Sequence, residues 1–309
     1  MAGHGEMLGS FELTTPLSNQ NSGFSVWGFA KRGGADYFVK QFLAPIYPDE
    51  DKVSSPERIA KKIKLCKKFE EQKTALYRAL NDHSDGNALR VQEFFRVGSH
   101  YYCATKKLRG LPLEIEMISN MQLETKRLLC ATIAHAVASY HAGGVVHADL
   151  KHSNIMYVHS ISGSLTAKVI DFDSSFLESD PPAPGEEIVG DQVYFSPEAC
   201  RSIWGEEIPL TCKMDIFSLG ILFHQYLSGQ LPKFSEDFYY PGEAVANGEV
   251  LELSERVPEQ FKSLLQSMLD ADPAQRPDAY TVFQNFTHRE PDKQEPVSKG
   301  VFFAPGDLL

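Results

Sequence analysis

The sequence predicts an α+β protein with two lobes, in which a small β-rich lobe with one main helix precedes a larger α-helical lobe. Two patterns and the seam between them lead to this prediction. Short apolar stretches alternate with turn signals over residues 11–42, whereas apolar residues at helical spacing dominate from Leu123 onward. The Gly110-Leu111-Pro112 segment lies between the two patterns and marks the seam.

The composition is typical of a globular protein. Of the 309 residues, 42% are hydrophobic and 23% are charged, and the formal net charge is −11. Because an acidic chain lacks the basic surplus that phosphate backbones attract, we expect no nucleic acid partner. The longest weakly polar run, residues 128–146, contains histidines and a glycine pair, so it indicates a buried helix and loop rather than a membrane partner.

The cysteines and the N-terminus predict a cytoplasmic location. Five cysteines are scattered without a CxxC pair, and this pattern is typical of reduced, packed thiols rather than of a disulfide framework or a zinc ribbon. The first ten residues contain no basic-then-apolar signal segment.

The first lobe contains antiparallel strands and one helix. Turn signals at residues 19–23 and at Gly33-Gly34 separate the strands of residues 11–42. Ser55, Pro56 and Glu57 predict a helix start, and apolar spacing continues this helix to about residue 80, with its lysines on a solvent-exposed face. Two further strands are expected over residues 91–108, around Gly98-Ser99.

The second lobe is mostly helical. One long helix is predicted over Leu123–His141, short strands and loops over residues 145–169, and further helices over residues 195–286. The predicted boundaries are an N-terminal extension over 1–10, a domain over 11–287 with lobes at 11–108 and 112–287, and a flexible tail over 288–309.

Two acids and an amide in the second lobe are candidates for metal binding and catalysis. Asp149 and Asn154 are five residues apart on a predicted loop, and Asp171 closes a hydrophobic strand. Carboxylate and amide oxygens can hold Mg²⁺ while leaving room for phosphate oxygens. A remaining acid can then orient a hydroxyl group for in-line attack.

These motifs resemble those of the protein kinase family over residues 11–286. The segment His147-Ala-Asp-Leu-Lys-x-x-Asn154 is similar to the catalytic loop, and Asp171-Phe-Asp173 is similar to the magnesium motif. The resemblance implies a two-lobed protein kinase fold, with ATP and Mg²⁺ or Mn²⁺ as cofactors. It makes Asp149 the catalytic base or hydroxyl-orienting acid, Lys151 the cation that neutralises the transferring phosphoryl group, and Asn154 and Asp171 the metal ligands.

The resemblance also implies a nucleotide site. Lys40 is similar to the strand lysine that pairs the α- and β-phosphates, and Thr105 to the small residue deep in the pocket. Glu70, Glu71 and Gln72 are all candidates for the helix residue that pairs Lys40, and Glu71 is the assigned one. The full set of expected nucleotide-binding residues is Lys40, Ser22, Gly23, Val26, Glu71, Thr105, Lys106, Leu108 and Met156.

Three residues of the second half match structural positions of the family. Glu198 ends a segment similar to the end of an activation segment, and Arg276 lies in a later loop, so the resemblance implies a Glu198–Arg276 ion pair. Asp215 resembles the buried helix acid that anchors the backbone of the catalytic loop.

Several residues depart from the family pattern. The glycine-rich loop falls at residues 20–27 and keeps only Gly23, and Phe38 replaces the usual alanine against adenine, where its ring is expected to crowd the base. Ala148 replaces an arginine that pairs with a phosphorylated activation loop, Asp173 replaces a glycine, and Asp191 replaces a threonine.

The sequence therefore predicts a kinase that transfers the γ-phosphoryl group of ATP to Ser or Thr of a protein substrate. The Asp-Phe-Asp form is also similar to that of bacterial kinases. Two alternatives stay open. One is a small-molecule phosphotransferase of the aminoglycoside or choline type, which shares a His-x-Asp loop. The other is a pseudokinase that acts as a binding or scaffold module, which Phe38 and the reduced glycine loop favour.

Overall fold

The computed structural model describes residues 3–19, 25–49, 55–84, 86–160 and 163–288. These residues form two compact units. The first takes the chain up to Ser84 together with Leu89–Gly110, and the second takes residues 86–88 and the chain from Leu111 onward. The first unit is built mainly from a sheet and the second mainly from helices, which confirms the predicted α+β class.

The first unit is built on a six-stranded antiparallel sheet with the order β1-β2-β3-β4-β6-β5. Its strands are β1 (Met7–Leu8), β2 (Phe11–Leu13), β3 (Ser25–Arg32), β4 (Ala35–Phe42), β5 (Val91–Val97) and β6 (His100–Lys106). Residues 7 and 8, which the sequence assigns to an extension, thus contribute a strand. Gly33 and Gly34 make the β3–β4 turn with φ of 57° and 81°, as a two-residue hairpin requires.

The two faces of this sheet have different roles. An apolar cluster that includes Leu8, Phe11 and Val39 covers one face. Helix α1 (Pro56–His83) packs on the other face through Phe69, whose ring centroid lies 5.3 Å from that of Phe42. The helix begins as predicted, since Ser55 Oγ accepts from the backbone N of Arg58, and it extends three residues beyond the predicted end.

The second unit is organised around a buried helix. Its helices are α2 (Ile115–Ser119), α3 (Leu123–His141), α4 (Pro197–Ile203), α5 (Lys213–Ser228), α6 (Pro241–Ala246), α7 (Glu259–Met268) and α8 (Ala279–Thr287). Every residue of α5 from Met214 to Ser228 is buried. A helix that is buried on all sides occupies a core position, and its polar side chains, such as Asp215 and His224, are hydrogen-bonded there. Helix α3 coincides with its predicted bounds.

Four short strands complete the second unit and position its loops. They are β7 (Val145–Val146), β8 (Ile155–His159), β9 (Leu165–Val169) and β10 (Phe176–Leu177). Strand β7 pairs with β10, and β8 pairs with β9, so the loop between β7 and β8 is held beside the residues that follow β9.

All five cysteines are free thiols, and four of them are buried, as the sequence predicts. Within the described ranges, no helix combines the length and the apolar character that a membrane crossing requires.

Candidate active site

Three predicted site residues meet in the loop between β7 and β8. The Lys151 Nζ lies 2.9 Å from Asp149 Oδ2, and the Asn154 Nδ2 donates to Asp149 Oδ2 at 2.9 Å and to the Asp149 carbonyl at 2.8 Å. A 3₁₀ turn over His152–Asn154 brings the amide back toward the acid. The loop therefore holds a carboxylate, an ammonium group and an amide in one hydrogen-bonded set.

The other carboxylate oxygen of Asp149 is held by the backbone of a later segment. The backbone N of Asp191 donates to Asp149 Oδ1 at 2.9 Å, and the Asp191 side chain caps the following turn by accepting from Val193 N at 3.1 Å. Gly190 allows this approach, because a Cβ there would lie 2.6 Å from Phe195 and 3.1 Å from the Ala148 carbonyl. In the sequence, only Gly190 marks this close approach.

Asp215 anchors the start of the loop, as expected from the resemblance. Its two oxygens accept from the backbone N atoms of His147 at 2.8 Å and of Ala148 at 3.0 Å, and Oδ2 also accepts from His141 Nε2 at 2.9 Å. Burial alone would raise the pKa of Asp215, but the hydrogen bond from His141 and the proximity of His147 keep this pKa below its usual value.

Ala148 has a φ of 65°, which is unfavourable for a residue with a Cβ. The two backbone bonds to Asp215 hold the loop in this conformation. A second strained residue is Asp171, with a φ of 67°, at the end of the segment that follows β9. Strained backbone of this kind persists where surrounding contacts determine it, and it clusters at functional sites.

Packing holds Asp171 beside the loop. His147 is fully buried, donates from Nε2 to the Ile170 carbonyl at 3.0 Å, and packs on the ring of Phe172 at 4.8 Å, so it is a packed residue as predicted. The backbone N of Ile170 donates to the Asn154 carbonyl at 3.0 Å. The two residues predicted as metal ligands, Asn154 and Asp171, therefore lie in directly bonded backbone segments.

The chemistry of these residues fits a hard divalent cation. The Nδ2 of Asn154 is used in two bonds to Asp149, which leaves its amide oxygen pointing the other way. With the Asp171 carboxylate, this supplies oxygen ligands of the kind that Mg²⁺ binds beside phosphate oxygens. Among the described residues, no group of three or more His, Cys, Asp or Glu side chains forms a separate metal site.

The predicted ion pair of the second unit is present. Arg276 Nη1 lies 2.7 Å from Glu198 Oε1, and Nη2 lies 2.9 Å from Oε2, with both side chains buried. Met156, expected near the nucleotide, lies on β8 opposite Lys168 and is half-buried.

In the first unit, Lys40 shares a sheet face with three aromatic rings. Lys40 pairs directly with Trp27 across β3 and β4, and Phe38 pairs with Phe29. The rings of Trp27 and Phe38 are stacked with centroids 5.3 Å apart, and Lys107 Nζ lies 3.8 Å above the Phe29 ring. Phe38 thus packs on Trp27 along this face.

Thr105 lies next to Phe38 on the neighbouring strand. The two residues are register partners, and the Thr105 hydroxyl is buried without a hydrogen-bond partner in the described part of the chain. Beyond it, Lys106 is exposed and Leu108 is half-buried. A buried hydroxyl without a partner costs free energy, so this position is energetically unfavourable in the described part of the chain.

One expected nucleotide-binding residue, Val26, is placed elsewhere. Val26 is buried in the apolar cluster on the opposite sheet face from Lys40, because alternate residues of a strand point to opposite sides. Trp27 occupies the position expected of Val26, and the two-residue turn at Gly33-Gly34 imposes this register. Ser22 and Gly23 lie outside the described residues.

The structure favours Glu70 over the assigned Glu71 as the helix acid near Lys40. Glu70 Oε1 accepts from the Tyr101 hydroxyl at 2.6 Å, and Tyr101 is two residues from Cys103, the strand partner of Lys40. Glu71 is exposed and lies away from the buried side of α1. Since helix neighbours differ by about 100°, only one of two adjacent acids can face the sheet.

Known proteins of similar sequence are protein kinases. The Oryza sativa protein "Calcium-dependent protein kinase 9" is 34% identical over 160 residues, which cover 50% of this chain and 26% of that protein. The Drosophila melanogaster protein "Ovarian-specific serine/threonine-protein kinase Lok" is 28% identical over 239 residues, 75% of this chain and 46% of that protein. An Arabidopsis thaliana relative, "Calcium-dependent protein kinase 10", is 25% identical over 86% of this chain and 48% of its own length.

The chain thus spans about a quarter to a half of the length of the curated relatives it matches. The family described as "Protein kinase domain" matches residues 50–286, which is most of the chain and includes every residue of the loop, the Asp171 segment and the Glu198–Arg276 pair. The chain belongs to the protein kinase family.

Proposed function

We propose that this chain transfers the γ-phosphoryl group of ATP to a serine or threonine hydroxyl of a protein substrate. The observation that carries the proposal is the bonded set of Asp149, Lys151 and Asn154, with Asp171 in the adjoining segment. Family membership supports the reaction class, and the names of the relatives support Ser and Thr as acceptors.

Each side chain has a distinct role in this proposal. Asp149 accepts a hydrogen bond from the substrate hydroxyl, orients it and takes its proton. Three bonds from Lys151, Asn154 and the backbone of Asp191 fix the position of this carboxylate before substrate binds. Positioning of this kind lowers the barrier because the reacting groups lose little further freedom.

Lys151 supplies positive charge beside Asp149. It neutralises negative charge on the transferring phosphoryl group, and it does so from a half-buried position where water screens it less. Lys40 pairs the α- and β-phosphates. Asn154 and Asp171 would hold Mg²⁺, or Mn²⁺, whose positive charge stabilises the phosphate oxygens when bound.

A phosphotransfer assay tests the proposal. The chain is incubated with radiolabelled ATP and magnesium, against a generic protein substrate and a panel of small alcohols, with Asp149→Asn as the inactive control. Label on protein Ser or Thr supports the proposal. Label on the alcohols alone would favour a small-molecule phosphotransferase, and no transfer with intact ATP binding would favour a binding module. A cytoplasmic location belongs to the same proposal, and the five free thiols support a reducing compartment.

A further inference from the structure

The N-terminal half of α1 carries an unusual concentration of positive charge. Six cations lie within eleven residues, all of them exposed, against one carboxylate at Glu57, in a chain whose net charge is −11. These cations are Arg58, Lys61, Lys62, Lys64, Lys67 and Lys68. Lys61, Lys64, Leu65 and Lys68 lie three and four residues apart and share one side of the helix, which we name the basic face.

The basic face has an apolar centre. Leu65 is 58% exposed and is bordered by Lys61, Lys64 and Lys68. Only Cys66 is buried in this half of α1, whereas the C-terminal half buries Lys73, Leu76, Tyr77 and Leu80. The side chains of the basic face are therefore not needed to hold α1 on the sheet.

The charges of the basic face are not balanced locally. In the described ranges, none of its lysines is paired with a carboxylate, whereas other exposed cations are paired, as in Arg201–Glu206 and Lys233–Glu252. Lys64 has like charges three residues before it and four residues after it, and such neighbours repel and destabilise a helix. A negatively charged ligand would relieve this repulsion.

We propose that the basic face binds an acidic segment of a partner protein, which places one apolar side chain on Leu65. From Lys61 to Lys68 the face spans only about 10 Å, so a short segment covers it and the complex is transient. At about 0.15 M salt, charges more than about 8 Å away are largely screened, so the acidic remainder of the chain does not prevent such binding.

Other anionic partners fit this face less well. Single-stranded nucleic acid is held by aromatic stacking as well as by charge, and the basic face has no aromatic residue. An amphipathic helix that lies in a membrane needs a continuous apolar side, and here Leu65 stands alone among cations. A carboxylate-rich peptide needs only spaced cations and one apolar contact, which is what the face offers.

The test uses a fluorescent peptide of about 12 residues, composed of Glu, Asp and Ser with one central Leu, and measures anisotropy against the full chain at about 0.15 M salt. We expect saturable binding that is weakened roughly tenfold when Lys61, Lys64 and Lys68 are all replaced by Gln. A matched variant with Lys31, Lys233 and Lys262 replaced by Gln has the same net charge and should bind within about twofold. Leu65→Ala should weaken binding several-fold without changing its salt dependence. Val250 is an exposed apolar residue outside the basic face, so Val250→Ala should leave the affinity unchanged.

Other outcomes would overturn the proposal. The proposal fails if the peptide shows no saturable binding, or if the two triple variants weaken peptide binding equally. It also fails if phosphatidylserine vesicles or an oligonucleotide bind more tightly than the peptide through the same lysines. Self-association that depends on these lysines, measured by sedimentation, would point to a second copy of the chain instead. Circular dichroism establishes that each variant is folded. Because peptide binding is measured without ATP, the result is independent of the phosphoryl-transfer proposal.

Discussion

Arg276 and Glu198 form a buried ion pair in which two parallel hydrogen bonds, of 2.7 and 2.9 Å, join the guanidinium and carboxylate groups. Arg276 also donates from Nε to the Asp270 carbonyl and from Nη1 to the Lys213 carbonyl. The pair thus ties the start of α4 to the start of α5 and to the loop before α8. Its geometry satisfies both charges within the core.

Removal of one partner should therefore be costly. Arg276→Met would leave Glu198 as an unpaired buried carboxylate, and we expect a loss of about 3 to 5 kcal/mol in the free energy of unfolding. Urea denaturation measures the loss. The matched control is Arg201→Met, which breaks the exposed pair with Glu206 and should leave stability nearly unchanged. Equal effects of the two substitutions would show that the buried pair has no special role.

Asp215 should be needed for catalysis rather than for substrate affinity. Its two oxygens accept from two backbone N atoms of the loop, and an amide offers only one acceptor. Asp215→Asn should therefore release the strained Ala148 and lower kcat by about tenfold to a hundredfold, with little change in KM for ATP. Steady-state kinetics on the folded variant check this. A change in KM alone would contradict the positioning role.

The Glu198–Arg276 pair and the anchoring of the loop by Asp215 could both be predicted, because in each contact a side chain at a recognisable motif position makes the bond. Helix α3 is also predicted to its exact bounds, since its apolar spacing is regular and turn residues flank it. The bond from the Asp191 backbone to Asp149 could not be predicted, because any residue can donate a backbone N–H. Val26, which the sequence assigns to the nucleotide site, is one position out of phase with Lys40, and in a strand one position means the opposite face.

Stability should fall between pH 7 and pH 5 because of His224. The buried imidazole donates from Nδ1 to the Gln230 carbonyl at 2.8 Å and accepts from Ser254 N at 2.9 Å, and burial lowers its pKa despite the bond to Gln230. Below about pH 6.5 the unfolded chain therefore binds a proton that the folded chain does not, so stability is complete above this pH and is lost as pH falls toward the folded pKa.

Urea denaturation at pH 7.5 and 5.5 measures this loss, with a slope of up to about 1.4 kcal/mol per pH unit for one histidine. His224→Gln keeps a donor and an acceptor and should reduce the slope. Burial also lowers the pKa of His152, so His152 should account for part of the slope that remains in His224→Gln. An unchanged slope in His224→Gln would show that His224 does not titrate in this range.

Phe38 should limit nucleotide affinity. Its ring is stacked on Trp27 on the sheet face that carries Lys40, where the family has a smaller residue against adenine. Phe38→Ala should tighten binding of a non-hydrolysable ATP analogue several-fold, at a stability cost of about 1 to 3 kcal/mol from lost packing. Calorimetric titration with magnesium measures affinity. The control, Phe95→Ala, changes the opposite face and should leave affinity unchanged. Equal or weaker binding by Phe38→Ala would make the ring a stacking element for adenine.

Activity should not require phosphorylation of the segment that follows Asp171. Ala148 stands where an arginine would pair with a phosphate, and the segment already carries exposed acids such as Glu186 and Glu187. Added phosphate would be repelled by these acids. Replacement of Ser174 and Ser179 by Ala should therefore leave turnover within a few-fold, and phosphatase treatment of the wild-type chain should have no effect.

Ser175 should behave differently from Ser174 and Ser179, because its hydroxyl is part of the packing around the catalytic loop. Its hydroxyl is buried and donates to the His147 carbonyl at 3.1 Å, at the start of the catalytic loop. Ser175→Ala should cost about 1 kcal/mol of stability and a modest part of turnover, because the carbonyl loses its donor. Ser175→Asp should be much worse, since it places a charge in a buried position. If Ser175→Asp instead raised turnover, or if phosphatase treatment reproduced the loss in Ser175→Ala, the hydroxyl would be a phosphorylation site and the packing role would be wrong.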